Sequence, residues 1–390
     1  MSPVAFVNGR VLTDAGIEEG LTVLTGSAHI ASVNRSEAAG AHAAEEVDLD
    51  GKLLLPGFVD AQVNGGGGVL FNETPTVEAI AEIGRVHHRF GTTAFLPTLV
   101  SDDLTVVAEA ISAAREAIAA GVPGVLGIHI EGPFLNEIRK GVHDASKIRY
   151  LDEDAYRLLT RPTGGKTLLT LAPEKTTPQM IRRLCEAGVV VSAGHSNATY
   201  AEVRAALDNG LSGFTHLFNA MSPMTVREPG VVGAALDDAD SWCSIIVDGH
   251  HVDPVMLRLA LRCKRRERFI LVTDAMPSVG AERKSFSLLG RRITVTDGVC
   301  VDEDGTLAGS NIDMASAVRN AARLLDIGIA DAARMASRYP ADFLGLSSEY
   351  GRIAAGCRAD LVIADDELNI LETWIGGRRL GSSVPVSAVH

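Results

Sequence analysis

Imidazole and carboxylate side chains recur at one kind of place along this chain, the polar end of an apolar run. Glu131 closes VLGIHIEGP, His195 closes VVVSAGHS, and His216 lies near the end of GFTHLFNAM. Asp248, His250 and His251 close SIIVDGHH, and Asp274 ends FILVTDAM. A lone histidine in such a place is ordinarily a packed or solvated residue. Consecutive runs ending in His, His, His and Asp point instead to one shared site. Two imidazoles and a carboxylate suit a catalytic divalent metal. Zn²⁺ held by such a set keeps a position open for water, and Fe²⁺ accepts the same donors. The ion brings the pKa of bound water from about 16 to about 7. A separate carboxylate must then take and return protons, and Asp274 is the candidate.

Eight such runs can be counted, at 52–64, 92–100, 125–133, 167–174, 189–196, 213–221, 244–251 and 269–276. Amphipathic stretches such as TVEAIAEIGRVHHRF, LTVVAEAISAAREAIAA and YAEVRAALDNG lie between most of them. Near-continuous apolar strands alternating with helices indicate parallel strands covered on both faces. The pattern predicts an α/β fold, a (β/α)₈ TIM-type barrel, whose functional residues belong at the C-terminal ends of the strands. A doubly wound open sheet is the alternative, but no G-x-G-x-x-G follows the first run. NGGGG at 64–68 lacks that spacing, lacks the P-loop Lys-Ser/Thr, and reads as a flexible turn at the barrel mouth. The two ends of the chain have another character: short strands broken by Gly, Asn and Asp. Residues 1–52 and 350–390 are expected to pair into a small β-sandwich domain beside a barrel of residues 53–349.

The net charge of −13 disfavours phosphate backbones, so nucleic acid is excluded as a partner, while a local pocket for a small anion is not. No stretch approaches the ~18 apolar residues of a membrane span, and the N-terminus has no signal-peptide pattern. The five cysteines, Cys185, Cys243, Cys263, Cys300 and Cys357, form no C-x-x-C pair and are odd in number. Reduced thiols in a cytoplasmic protein are the expectation.

HIEGPF, AGHS, THLFNAM, DGHHVD and VTDAM, in that order, resemble the N-acetylglucosamine-6-phosphate deacetylase family of the amidohydrolase superfamily, across most of the chain. The resemblance implies that Glu131, His195 and His216 hold a divalent metal, Zn²⁺ or Fe²⁺ first and Co²⁺ or Mn²⁺ next. It implies Asp274 as acid/base and His143, in KGVHDAS, as the group that contacts the substrate carbonyl. Arg227 would reach the phosphate in the neighbouring subunit of a homodimer. His251 and the backbone at Asn219 and Ala220 would join it there. Leu307–Ser310, with Ala308 and Gly309, would lie near the acetyl group. The expected reaction is metal-dependent deacetylation of N-acetyl-D-glucosamine 6-phosphate to acetate and D-glucosamine 6-phosphate, in amino-sugar catabolism and cell-wall recycling.

Many amidohydrolases carry His-x-His at the end of the first strand and bind a second metal there. Gln62 and Asn64 stand at that place, and neutral amides are poor ligands beside imidazole, so one tight ion is expected. A dihydroorotase-like enzyme acting on a cyclic amide is the first rival, but it needs His-x-His and a lysine at the end of the fourth strand. Here that run ends in Ala172-Pro173-Glu174, with Lys175 just outside. A catalytically inactive barrel acting as a scaffold is the second, and it conflicts with the full set Glu131, His195, His216 and Asp274. His29, His42, His87, His88 and His390 fall at no strand end and are expected to be solvated or structural.

Overall fold

The structure, a computed structural model, describes residues 3–35 and 45–380. The parts of the expected end-segment domain at 1–2, 36–44 and 381–390, with His42 and His390, lie outside the described residues. Eight parallel strands stand side by side in chain order: Phe58–Val63, Thr92–Val100, Gly127–Glu131, Lys166–Leu171, Val190–Ala193, Gly213–Phe214, Trp242–Ile245 and Phe269–Leu271. Helices separate them, among them Val77–His88, Leu104–Ala119, Tyr200–Leu207 and Pro254–Cys263. The helix starts are written locally. Thr76 accepts a hydrogen bond from the Ala79 amide, and Thr199 and Glu202 form a reciprocal capping box. Every residue of Phe58–Val63 and Thr92–Val100 is buried, as expected for strands covered on both faces.

The barrel closes through a narrow seam between its first and last strands. A single bridge joins Val63 to Ala275, and the Asp274 amide donates to Gln62 O at 3.0 Å. Beneath them the Asp60 carboxylate accepts from Thr273 Oγ1 at 2.6 Å. Burial first, then the charge of Asp274, raises the Asp60 pKa to about 7.

The end segments share one hydrogen-bonded sheet. Val4–Leu12, Ile17–Gly26, His29–Arg35, Glu45–Asp48 and Leu53–Pro56 join Leu361–Ala364, Ile370–Ile375 and Arg378–Arg379. The ring centroids of Phe6 and Trp374 lie 5.0 Å apart, although their strands are not neighbours in the sheet. The sheet therefore curls around a core of its own, built on Phe6, Val23, Leu54, Leu361 and Trp374.

Two sequence expectations need correction. The run 52–64 is not one strand. Leu53–Pro56 pairs with Leu361–Ala364 in the end-segment sheet, and the chain crosses into the barrel at Gly57. A Cβ there would stand 2.1 Å from Thr93 Oγ1, so only glycine fits the crossing. Nor is NGGGG a loose turn. Gly65–Gly66 and Val69–Leu70 form a tight hairpin. The amides of Gly65, Gly67 and Gly68 donate to the carbonyls of Ala275, Val279 and Pro277, and His87 Nε2 donates to Gly65 O at 2.9 Å. The glycines permit close backbone approach, and that approach supplies the hydrogen bonds that fix them.

After the eighth strand a three-stranded sheet, Ser285–Leu288, Arg291–Thr296 and Val299–Val301, precedes the helix Met314–Leu324. No helix among the described residues is long and apolar enough to cross a membrane.

Candidate active site

Three donors converge at the C-terminal end of the barrel. Glu131 Oε1 lies 3.1 Å from His195 Nε2 and 2.9 Å from His216 Nε2, and the two imidazole nitrogens are 3.1 Å apart. All three residues are buried and together form a group able to hold a metal ion. Metal–donor bonds of about 2.0–2.2 Å in a tetrahedral site put donors roughly 3.3–3.5 Å apart. The observed triangle is slightly tighter, so a small outward shift of the side chains admits a divalent ion. The His195 tautomer fits as well. Its Nδ1 donates to the Arg139 carbonyl at 2.9 Å, so Nε2, which without a metal can donate to Glu131, is the nitrogen that would give up its proton and bind the ion.

The electrostatics are those of a cation site. Burial would raise the Glu131 pKa, but hydrogen bonds from His195 and His216 and their charges hold it well below the usual range. Burial opposes charge on His216, yet the Glu131 hydrogen bond and field outweigh it and its pKa is raised. The triad thus keeps its carboxylate ionised in a dry pocket.

Asp274 stands beside this triad on the cleft wall. Burial, then the Glu131 charge, raises its pKa to about 6. Its Oδ1 accepts from Asn64 Nδ2 at 2.6 Å and from Gln62 Nε2 at 3.1 Å. Gln62 Nε2 also reaches Glu131 Oε2 at 3.1 Å. The two amides at the place of the missing His-x-His are therefore occupied as donors to the site's two carboxylates.

His143 faces His195, with ring centroids 4.4 Å apart. Burial, then the charge of His195, lowers its pKa to about 3, so the ring is neutral. Its Nδ1 accepts from the Ser101 backbone amide at 3.2 Å and lies 2.7 Å from Ser101 Oγ. A backbone N–H can only donate, so the His143 proton sits on Nε2. A neutral imidazole with Nε2–H beside the triad is a hydrogen-bond donor for a carbonyl oxygen.

The cleft holds about 320 Å³, within the ~300–1,000 Å³ usual for small-molecule sites. Asn219, Ala220, His251 and Gly309 line it together with the triad, His143 and Asp274. His251 Nδ1 donates to Asp248 Oδ2 at 2.6 Å. Burial would raise the Asp248 pKa, but the His251 hydrogen bond and charge bring it to about 2. Gly309 has φ +56°, and a Cβ there would meet Asp274 O at 2.8 Å. Several non-glycine residues of the site also have positive φ: His195 (48°), His216 (36°), Ala220 (52°) and Asp274 (52°). Each costs on the order of 1 kcal/mol or more, a strain that collects at functional sites.

Not every expected residue reaches the cleft. Ala308 is buried in the small core beneath the three-stranded sheet, and its neighbours Leu307 and Gly309 line the cleft instead. Arg227 is exposed and does not line the cleft of its own chain, and His250 is exposed. His87 and His88 are buried and bonded to backbone carbonyls. Lys175 is bound to Glu137 at 2.7 Å, away from the cleft, which removes the rival that needs a lysine ligand. Sequence reasoning missed Arg139, on the cleft wall, and His129, whose Nε2 lies 2.8 Å from Thr170 Oγ1 inside the barrel. It named Ser101 nowhere. His129 stands two residues before Glu131 on the same strand, the alternation that turns both side chains into the barrel, and this signal was available.

Comparison with known proteins gives a consistent result. The Amidohydrolase family profile matches residues 53–380. The N-acetylgalactosamine-6-phosphate deacetylase of Shewanella sp. (strain ANA-3) is 45% identical over 333 residues, 85% of this chain and 84% of that protein. The N-acetylglucosamine-6-phosphate deacetylase of Haemophilus influenzae is 36% identical over 335 residues, 85% of this chain and 87% of that protein. The crystal structure of N-acetylglucosamine-6-phosphate deacetylase from Pasteurella multocida superposes with a TM-score of 0.94 at 36% identity, covering 97% of this chain and all of that one.

Proposed function

The chain belongs to the amidohydrolase family, and on that premise we propose that it is a hydrolase converting N-acetyl-D-glucosamine 6-phosphate and water to acetate and D-glucosamine 6-phosphate. The observation that carries the reading is the meeting, in one cleft, of the Glu131–His195–His216 triangle, the ionisable Asp274 and the neutral donor His143. A linear amide needs one group of each kind: a Lewis acid, a proton carrier and a donor to the carbonyl oxygen.

Glu131, His195 and His216 would hold a divalent ion, which would supply Lewis acidity and lower the pKa of water at the site. Asp274 accepts the proton of the attacking water. Its Oδ1 is occupied by Gln62 and Asn64, so Oδ2 carries the proton. His143 Nε2–H donates to the acetyl oxygen as charge builds there, a contribution often worth about 3–4 kcal/mol per donor. Asp274 then returns the proton to the departing sugar amine, and the carboxylate is restored. His251, held by Asp248, and the backbone at Asn219 and Ala220 bind the sugar phosphate.

A single ion per subunit is supported by the amides at 62 and 64, which are engaged with carboxylates, and two imidazoles with a carboxylate suit Zn²⁺ or Fe²⁺ first and Co²⁺ or Mn²⁺ next. Arg227 reads as a phosphate ligand in the neighbouring subunit of a homodimer. It is exposed, lies outside its own cleft, and is flanked by Met224 and Val226, which are 59% and 100% exposed. A reducing, cytoplasmic setting suits five cysteines with no disulfide among them.

A second reading, N-acetyl-D-galactosamine 6-phosphate as preferred substrate, is favoured by the identity to the Shewanella protein. The two sugars differ only in configuration at C4. Acetate release should be compared on both phosphorylated sugars and on unphosphorylated N-acetylglucosamine, before and after chelation. Release confined to the phosphorylated sugars, lost with chelator and restored by metal, is expected. The faster of the two names the substrate. Release from neither removes the deacetylase reading.

A further inference from the structure

At the end of the fourth strand stands a carboxylate outside the cleft with an unusual set of partners. Glu174 Oε1 accepts from the Asn197 amide at 2.7 Å and from Asn136 Nδ2 at 3.0 Å. Its Oε2 accepts from Ser196 Oγ at 2.7 Å. Two of these donors directly follow His195 in the chain. The third belongs to the segment that follows EGPF and carries both Arg139 and His143. That segment touches the 195–197 turn at three more points, two of them on His195 itself. The Asn136 amide donates to His195 O at 2.9 Å, and Arg139 Nε donates to Asn197 Oδ1 at 3.0 Å. The Arg139 carbonyl takes the His195 Nδ1 proton at 2.9 Å. The neighbouring Lys175, itself buried, grips the same segment through Glu137.

We propose that Glu174 is a positioning residue for the metal centre: it clamps the 136–139 segment to the 195–197 turn, and thereby fixes the ring orientation and tautomer of His195. The physical need is clear. His195 adopts φ 48°, a conformation its own backbone resists, so something outside the ring must over-determine it. A ligand histidine also depends on whatever accepts its second N–H, here a loop carbonyl whose place depends on Glu174. The acidic side chain suits the task because three donors and no acceptor face it. An amide at 174 would present two N–H groups to partners that already donate.

This proposal rests on the reading of Glu131, His195 and His216 as metal ligands, and the experiment separates the two. Metal-stripped full-length wild type, Glu174→Gln, Asn136→Ala and Ser196→Ala would be titrated with Zn²⁺ against a competing chelator. Each would also be loaded with Co²⁺ for its visible spectrum, and the Tm of each metal-free protein recorded. We expect Glu174→Gln to weaken Zn²⁺ binding by about 10- to 100-fold and to alter the Co²⁺ bands, with the metal-free Tm close to that of wild type. Asn136→Ala and Ser196→Ala, which each remove one donor, should move the same way by less. They decide the matter if Glu174→Gln fails to fold. Unchanged binding and spectra in the variants overturn the clamp. A wild type that holds no ion overturns the site reading and the clamp with it.

Discussion

The two ends of the barrel both carry many charges, and they use them in opposite ways. At the N-terminal end, Arg265, Arg268, Arg334 and Arg338 line a hollow of about 650 Å³ together with Asp14, Glu267 and Asp342. It is larger than the cleft at the other end. Its charges are paired in the open: Arg338 with Asp14 at 3.2 Å, Arg265 with Asp240 at 3.3 Å, and Arg268 over the Trp242 ring at 4.6 Å. At the C-terminal end, Glu131, Asp274, His216 and His143 are buried, and the charges of Glu131 and His216 act on each other and on the other two. Size and charge count do not mark the functional end. Desolvated groups held in conflict, on strained backbone, do.

The contrast can be broken most severely at Asp274. Asp274→Asn keeps the three ligand side chains and removes the proton carrier, so kcat should fall by at least about 10²–10⁴-fold while bound metal, counted by elemental analysis, is retained. The wild-type pH profile belongs to the same test. Asp274 must be ionised to accept a proton, and its pKa of about 6 is raised by burial first and by Glu131 second. Activity should therefore fall as the pH drops through about 6, with a bound cation drawing that limb lower. A profile flat down to pH 4.5 would contradict the assignment. His143→Ala comes next: losing one preorganised donor should lower kcat by about 10²–10³-fold, and a loss in KM alone would move His143 from the carbonyl to mere binding. Arg227→Ala should raise KM for the phosphorylated sugar by about 10- to 100-fold and leave the unphosphorylated sugar unaffected. Equal effects on both take Arg227 out of the phosphate site. The smallest effect belongs to the other end. Asp14→Ala removes partners of Arg338 and Arg352, yet should cost less than about 1 kcal/mol in denaturant unfolding, because such pairs are solvated. Its kcat should not change. A large loss of activity there would end the division between the two ends.

Much of this was legible because strand ends are written twice, once as an apolar run and again as its polar terminus. Glu131, His195, His216 and Asp274 could be picked from that pattern, and the barrel order followed from the same runs. What stayed hidden is mostly the set of partners. That Gln62 and Asn64 are poor ligands can be said from residue type. That they donate to Asp274, more than two hundred residues away, cannot. The Arg139 carbonyl that sets the His195 tautomer carries no side-chain signature at all. Ser101, which fixes the proton of His143, is one serine among many. The hairpin at NGGGG misled for a related reason. Glycine shows that backbone can come close, and only the fold shows what it comes close to. Of the expected pair Ala308 and Gly309, only Gly309 lines the cleft, since neighbouring residues of a tight loop face opposite ways.

The narrow seam has a consequence for the order of events in a newly made chain. The candidate ligands span Glu131 to His216, a separation of 85 residues, whereas Asp60 and Thr273 are 213 apart. The longer closure costs only about 0.8 kcal/mol more in loop entropy, too little to set a sequence of events. Chain order is the stronger distinction, because His216 leaves the ribosome before Thr273 and Asp274. A chain that ends before the eighth strand thus already carries all three candidate ligands and lacks only the carboxylate proposed to move the proton.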